Sequence, residues 1–109
     1  SGATNPQSIA IGNKARAYGV DAIAFGSSAN ATATNAMAMG LNARTTASGS
    51  VAVGVNTEVT QINSVAMGAT AKTYGDSAAS LGVDVVSRGH SAVAVGANAR
   101  ARLPRVLFP

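Results

Sequence analysis

Residues 50–63 read SVAVGVNTEVTQIN, and variants of this 14-residue segment fill most of the chain. The glycine that follows SVAV returns every 14 residues without insertion or deletion. A constant period over many units is typical of stacked coils of one shape, in which each coil contacts only its neighbours. The recurring turn glycines are Gly12, Gly26, Gly40, Gly54, Gly68, Gly82 and Gly96.

The residues just before each glycine predict a short β-strand. Large apolar side chains stand one and three positions before the glycine, as Val53 and Val51 do around Ala52. This alternation over a short run bounded by glycine favours a strand over a helix. We expect the large side chains to face into the coil and form the roll core. The predicted core residues are Ile9, Ile11, Ile23, Phe25, Met37, Met39, Val51, Val53, Val65, Met67, Leu81, Val93 and Val95.

The small residue between the two large ones is then expected to face out of the coil. A contiguous apolar stripe on a protein surface usually marks a contact with a partner. Small side chains also allow another backbone to approach closely. We therefore predict a symmetric oligomer joined along this stripe. The predicted trimer interface consists of Ala10, Ala24, Ala38, Ala52, Ala66, Ser80 and Ala94.

The second half of each repeat predicts a second strand with one small-residue face and one polar face. In residues 50–63, Thr57 and Val59 would point inward and Glu58 outward. Two strands and two turns per repeat predict a flattened coil, and seven coils at about 4.8 Å make a rod of roughly 34 Å. Asparagine and glycine suit the turns because they tolerate positive φ. We assign Asn42, Asn56 and Asn98 to one turn and Gly19, Gly75 and Gly89, with positive φ, to the return turn.

Composition excludes several classes of function. Only 4% of the 109 residues are aromatic and 11% are charged, while the hydrophobic 47% is mostly alanine and valine. There is no cysteine and one histidine, His90, so thiolate and multi-histidine metal sites are excluded within one chain, and we expect no cofactor. The net charge of +4 permits anionic partners without requiring nucleic acid.

The chain contains no apolar run of the roughly 20 residues needed to span a bilayer. Residues 1–7 lack the basic start and apolar run of a signal peptide. We therefore expect any membrane anchoring to depend on segments outside this sequence.

The repeated S/A-V-A-V/M-G core, with N-A after it and A-x-G before the next copy, resembles the head repeats of trimeric autotransporter adhesins, the YadA-like head family. The resemblance covers residues 8–102 in seven in-register copies. It implies an all-β, left-handed parallel β-roll, a solenoid of about seven 14-residue coils, that forms a homotrimer. Residues 1–7 are then a polar lead-in, and residues 103–109 a tail or the start of a following segment.

The resemblance also implies a non-enzymatic adhesin head on the bacterial cell surface. The parent protein's C-terminal domain would anchor it to the outer membrane, and the trimer would attach to host extracellular matrix proteins or glycosaminoglycans. A structural spacer in a surface fibre is an alternative, as is a trimeric phage-fibre or ice-binding solenoid.

One combination of residues allows an enzymatic interpretation. Asp76 and His90 are 14 residues apart and should lie on adjacent coils, with Ser77 and Ser91 beside them. These residue types could form a Ser/His/Asp arrangement. A thin roll predicts no cleft or oxyanion site, so we favour a surface charge pair, and we predict no catalytic residues.

A row of cations recurs every 28 residues, which places one about every 10 Å along a ridge of the rod. Such a row could bind a polyanion, although we favour a solubilising role because an uncharged surface would aggregate. Two tyrosines in a neighbouring column could contact a ligand or merely cover a turn. The possible ligand contacts are Arg16, Arg44, Lys72, Arg100, Tyr18 and Tyr74.

Overall fold

The computed structural model describes residues 2–102 and 106–107, which form two parallel eight-stranded sheets without a helix. Sheet 1 holds the strands that precede the repeat glycines, and sheet 2 holds the strands that follow them. Sheet 1 contains β2 (Ile9–Ile11), β4 (Ile23–Phe25), β6 (Met37–Met39), β8 (Val51–Val53), β10 (Val65–Met67), β12 (Ala79–Leu81), β14 (Val93–Val95) and β16 (Val106–Leu107). Sheet 2 contains β1 (Gly2–Ala3), β3 (Arg16–Ala17), β5 (Asn30–Ala31), β7 (Arg44–Thr45), β9 (Glu58–Val59), β11 (Lys72–Thr73), β13 (Val86–Ser87) and β15 (Arg100–Ala101).

Each strand pairs with the strand one repeat away. Val65 pairs with Val51 on one side and with Ala79 on the other, so the register equals the 14-residue period. The described part of the chain is a rod of 38 × 20 × 12 Å, close to the predicted length. The predicted parallel β-solenoid of about seven coils is confirmed, while its left-handed sense stays a prediction.

Tight β-turns connect the two sheets. The Ala29 N–H donates to the Gly26 carbonyl at 3.2 Å, and Ser28, the third residue of the turn, has a φ of 60°. The return turn is built alike, since the Ala22 N–H donates to the Gly19 carbonyl at 3.2 Å. The ends of such a turn lie within about 7 Å, which holds the sheets close together. The predicted turn asparagines are confirmed at this third position, with φ of 59° at Asn42, 58° at Asn56 and 62° at Asn98.

Two predictions about glycine have different outcomes. The repeat glycines have positive φ, as expected, between 109° at Gly96 and 136° at Gly26. The prediction of positive φ at the return-turn glycines is wrong, because each is the first residue of its turn and the positive φ falls two residues later. The return-turn glycines are Gly19, Gly75 and Gly89, and the residues with positive φ are Asp21, Ser77 and Ser91.

The interior of the roll contains only small side chains. Ser50, Ala52, Thr57 and Val59 are the inward residues of one coil, and each is at most 1% exposed. The predicted inward face of the second strand is therefore confirmed. Because tight turns bring the sheets together, each coil has room for one layer of small side chains and no more.

The assignment of the two faces of the first strand is wrong. The small column lies inside the roll, so it cannot form an interface between chains, and the large column points out of sheet 1. The residues wrongly assigned to the interface are buried within the chain (Ala24, Ala38, Ala52, Ala66, Ser80, Ala94) or partly buried (Ala10). Those wrongly assigned to the core are exposed (Ile9, Ile11, Phe25, Met39, Met67) or partly exposed (Ile23, Met37, Val51, Val53, Val65, Leu81, Val93, Val95).

Hydroxyl groups replace alanine methyl groups in the middle of the stack and are hydrogen-bonded there. Thr73 Oγ1 donates to the Val65 carbonyl at 2.7 Å, and Ser80 Oγ donates to the Lys72 carbonyl at 2.7 Å. A buried hydroxyl with a partner avoids the cost of desolvation. This explains how Ser80 occupies a column that otherwise holds alanine.

The lead-in and the tail both contribute a strand. Gly2 and Ala3 pair with Arg16 and Ala17 at the 14-residue spacing, so part of the predicted polar lead-in continues sheet 2. In the tail, Val106–Leu107 pairs with β14. The remainder of the predicted tail, residues 103–105 and 108–109, lies outside the described residues.

Candidate interaction surfaces

The predicted pair on adjacent coils is present as a surface ion pair. His90 Nδ1 lies 2.8 Å from Asp76 Oδ1, and the two side chains are 65% and 43% exposed. The hydrogen bond from His90 is the main cause that lowers the pKa of Asp76 below its ordinary value. Within the described residues, neither Ser77 nor Ser91 hydrogen-bonds to this pair. The geometry fits the surface-pair interpretation rather than a nucleophile with its base.

Two classes of site have no counterpart in the described structure. In residues 2–102 and 106–107, no three acidic, histidine or cysteine side chains are grouped so that they could hold a metal ion. The same residues contain no helix that is long and apolar enough to cross a membrane.

The outer side of sheet 1 is an apolar surface that extends from one turn to the other. We call it the apolar face. Ile11 is 50% exposed and Phe25 48% exposed, although both are large apolar residues. Apolar turn residues widen the face at both edges, with Val55 at 44% and Ile62 at 50%. The exposed members are Ile9, Ile11, Val20, Phe25, Met39, Leu41, Val55, Ile62, Met67 and Val83.

The predicted row of cations lies along the outer side of sheet 2, but it is not uniformly positive. Glu58 stands in the same column and its Oε2 lies 3.9 Å from Arg44 Nη1. Lys72 Nζ donates to the Asn56 carbonyl at 2.8 Å. The row is therefore partly neutralised in its middle, and its role in ligand binding stays a prediction.

The two predicted tyrosine contacts lie far apart and in different surroundings. Tyr18 is 40% exposed beside Gly2 at one end of the rod. Tyr74 lies four coils away, and its hydroxyl donates to Glu58 Oε1 at 3.0 Å. Burial, followed by the neighbouring Glu58 carboxylate, raises the pKa of Tyr74. The two tyrosines do not form one site.

A group of arginines that the sequence analysis did not single out lies near Tyr74. Arg88 occupies the next coil in the same column, and its guanidinium stands 5.6 Å from the centre of the Tyr74 ring. Arg102 is a further 14 residues along, beside Arg100. The 14-residue spacing of Arg88 and Arg102 was the signal that could have revealed this group.

The sequence of the roll matches a family model described as YadA head domain repeat (2 copies). The matched segments are residues 3–29, 31–57, 60–83 and 87–102, which together cover most of the chain. The chain belongs to the YadA head family. No curated protein matches the chain significantly. Membership agrees with the 14-residue solenoid and identifies this YadA head as a domain of the trimeric autotransporter adhesin type, a class carried on the bacterial surface.

Proposed function

We propose that this YadA head is a non-enzymatic adhesive module that acts as a homotrimer at the outer surface of a bacterium. The apolar face is the observation that carries the proposal. A solitary chain would expose large side chains along the whole rod, and contiguous apolar patches of this kind mark interaction surfaces. Three chains arranged around one axis, with sheet 1 inward, remove this surface from water.

The size of the face fits such an association. A broad side of the rod measures 38 × 20 Å, which is about 760 Å² in projection. Stable interfaces bury about 800 Å² per partner, so the face is of the right order only if most of it takes part. Sheet 2 would then point outward and present its polar side chains to a ligand.

The ligands proposed for the head are host extracellular matrix proteins or glycosaminoglycans. Each outward sheet offers exposed charged and amide side chains, including Arg44 and Asn42, but the described surface is flat. Weak contacts on three identical sheets gain strength through multivalency. Adhesion by a rigid trimer therefore needs no deep pocket in any one chain.

The trimer seam is tested with a pair of glutamate variants. Met67→Glu places a carboxylate in the apolar face, and we expect a folded monomer in sedimentation velocity. Val86→Glu, the matched control, places the same group on the outer side of sheet 2 beside Lys72 and Arg100, and we expect it to remain a trimer. A trimeric Met67→Glu protein would overturn the assignment of the seam.

A structural spacer is the second candidate, since the coils from Ile9 to Ala101 stack without an inserted loop that could form a binding site. Both candidates require the trimer and differ in binding. We expect the folded trimer to bind immobilised matrix proteins such as collagen, fibronectin or laminin, or else a glycosaminoglycan. A trimer that binds none of them at high surface density would favour the spacer.

A further inference from the structure

Four cations converge on one part of sheet 2. Lys72 and Arg100 share a column with one strand between them, and Arg88 and Arg102 share the next outward column on adjacent coils. Neighbouring parallel strands are about 4.8 Å apart, so all four side chains start within about 10 Å of one another along the rod. We call this group the basic patch.

The basic patch differs from the rest of the cation row in its partners. Across residues 2–102 and 106–107, the ion pairs are Arg44 with Glu58 and His90 with Asp76, so no member of the patch is in one. The nearest acidic residue of the adjoining turn, Asp84, accepts a hydrogen bond from Arg100 through its backbone carbonyl rather than its carboxylate. The charge of the patch is therefore available to a ligand.

The side chains of the patch are already held in place. Arg88 stacks over the Tyr74 ring, Lys72 donates to the Asn56 carbonyl at 2.8 Å, and Arg100 donates to the Ala99 carbonyl at 3.3 Å. A side chain that is ordered before binding loses less conformational entropy when the ligand arrives. These contacts use backbone and aromatic partners, so they restrain the cations without neutralising them.

We infer that the basic patch binds a sulfated polysaccharide chain that runs along the rod axis. A guanidinium forms two parallel hydrogen bonds to an oxyanion such as sulfate, and the strand ladder sets Arg88 and Arg102 in a line. An acidic protein would be expected to add an apolar or aromatic anchor in a pocket. Here the Tyr74 ring is covered by Arg88, and the outward neighbour Val86 is partly buried.

This inference rests on the proposed adhesive function and on the outward position of sheet 2 in the trimer. Threefold symmetry would repeat the patch on each side of the head. A long polysaccharide network could then engage several patches at once, which raises the apparent affinity without new contacts.

The test measures binding of the folded trimer to heparin over a range of salt concentrations. Arg88→Gln/Arg102→Gln should weaken binding about tenfold, because two exposed charge contacts are lost. The matched control Arg16→Gln/Arg44→Gln removes the same charge elsewhere on sheet 2 and should change affinity by less than about threefold. Arg88→Lys/Arg102→Lys keeps the charge but loses the paired donors, so it should fall between the parent and the glutamine variant.

Several outcomes would overturn the inference. Equal losses in the two glutamine variants would mean that net charge alone attracts heparin. Equal binding of polyglutamate or of desulfated heparin would show that sulfate is not recognised. A trimer that binds matrix protein but not heparin would refute the inference and leave the proposed function standing, whereas a folded trimer that binds neither would refute both.

Discussion

Gly54→Ala tests how closely the coils stack. Gly54 has a φ of 126°, and a Cβ added to it would lie 2.4 Å from the Gly68 carbonyl oxygen of the next coil. The strained φ alone costs about 1–3 kcal/mol. Relief of the clash would also disturb the bond from the Gly68 N–H to the Val53 carbonyl, which is 2.9 Å long and contributes about 1 kcal/mol. We expect a loss of about 2–4 kcal/mol in the free energy of unfolding.

The loss should lower the melting temperature by about 10 °C or more for a domain of this size. Circular dichroism melts must be compared at equal chain concentration, because the stability of an oligomer depends on it. Gly49→Asn is the control, since Gly49 has a φ of 65° and asparagine occupies the same turn position at Asn35 and Asn63. If Gly54→Ala melts with the control and the parent, the close approach at this glycine is refuted.

Three further changes have defined outcomes. Thr70→Asn should raise the free energy of unfolding by about 1 kcal/mol in urea titrations, because the β-branched Thr70 has a φ of 60° that asparagine tolerates better; an unchanged midpoint would contradict this. Asp76→Asn should lower the melting temperature above pH 3.8, where the hydrogen bond from His90 stabilises the carboxylate, and the difference should vanish as the pH falls through the depressed pKa of Asp76; a difference that persists at pH 2 would be contrary evidence. Ala66→Leu should destabilise the roll by about 1–3 kcal/mol through overpacking, while Met67→Leu costs less than about 1.5 kcal/mol, and the reverse order in thermal melts would restore the discarded assignment of faces.

The period of the sequence was sufficient to predict the solenoid. Gly12 to Gly96 recur without a break, and parallel stacking follows once each repeat holds two strands and two turns. The turn asparagines were equally predictable, because the side chain of Asn56 is suited to positive φ. Local patterns set local structure here because every coil repeats the same contacts.

The direction of the first strand could not be read from alternation alone. Val51 and Val53 alternate with Ala52 whichever side faces inward, and the usual expectation places large residues in the core. The deciding fact is the turn geometry, which brings the sheets too close for large side chains. The small Ser50, which lies on the same side of the strand as Ala52, was the sequence signal for this arrangement.

The candidate site depended on contacts between columns. The cation row was predicted from its 28-residue recurrence, but the neutralising position of Glu58 was not weighed against it. The basic patch joins Arg88 and Arg102 to a different column that holds Lys72 and Arg100. Such diagonal neighbours become evident only when the register of the strands is known.

The central claim is that the apolar face is covered by two further copies of the chain. Multi-angle light scattering of the purified protein at micromolar concentration tests this claim most directly. We expect a folded species with three times the 10.7 kDa mass of one chain. A folded, soluble species of 10.7 kDa would contradict the account, because the apolar face would then be stable in water.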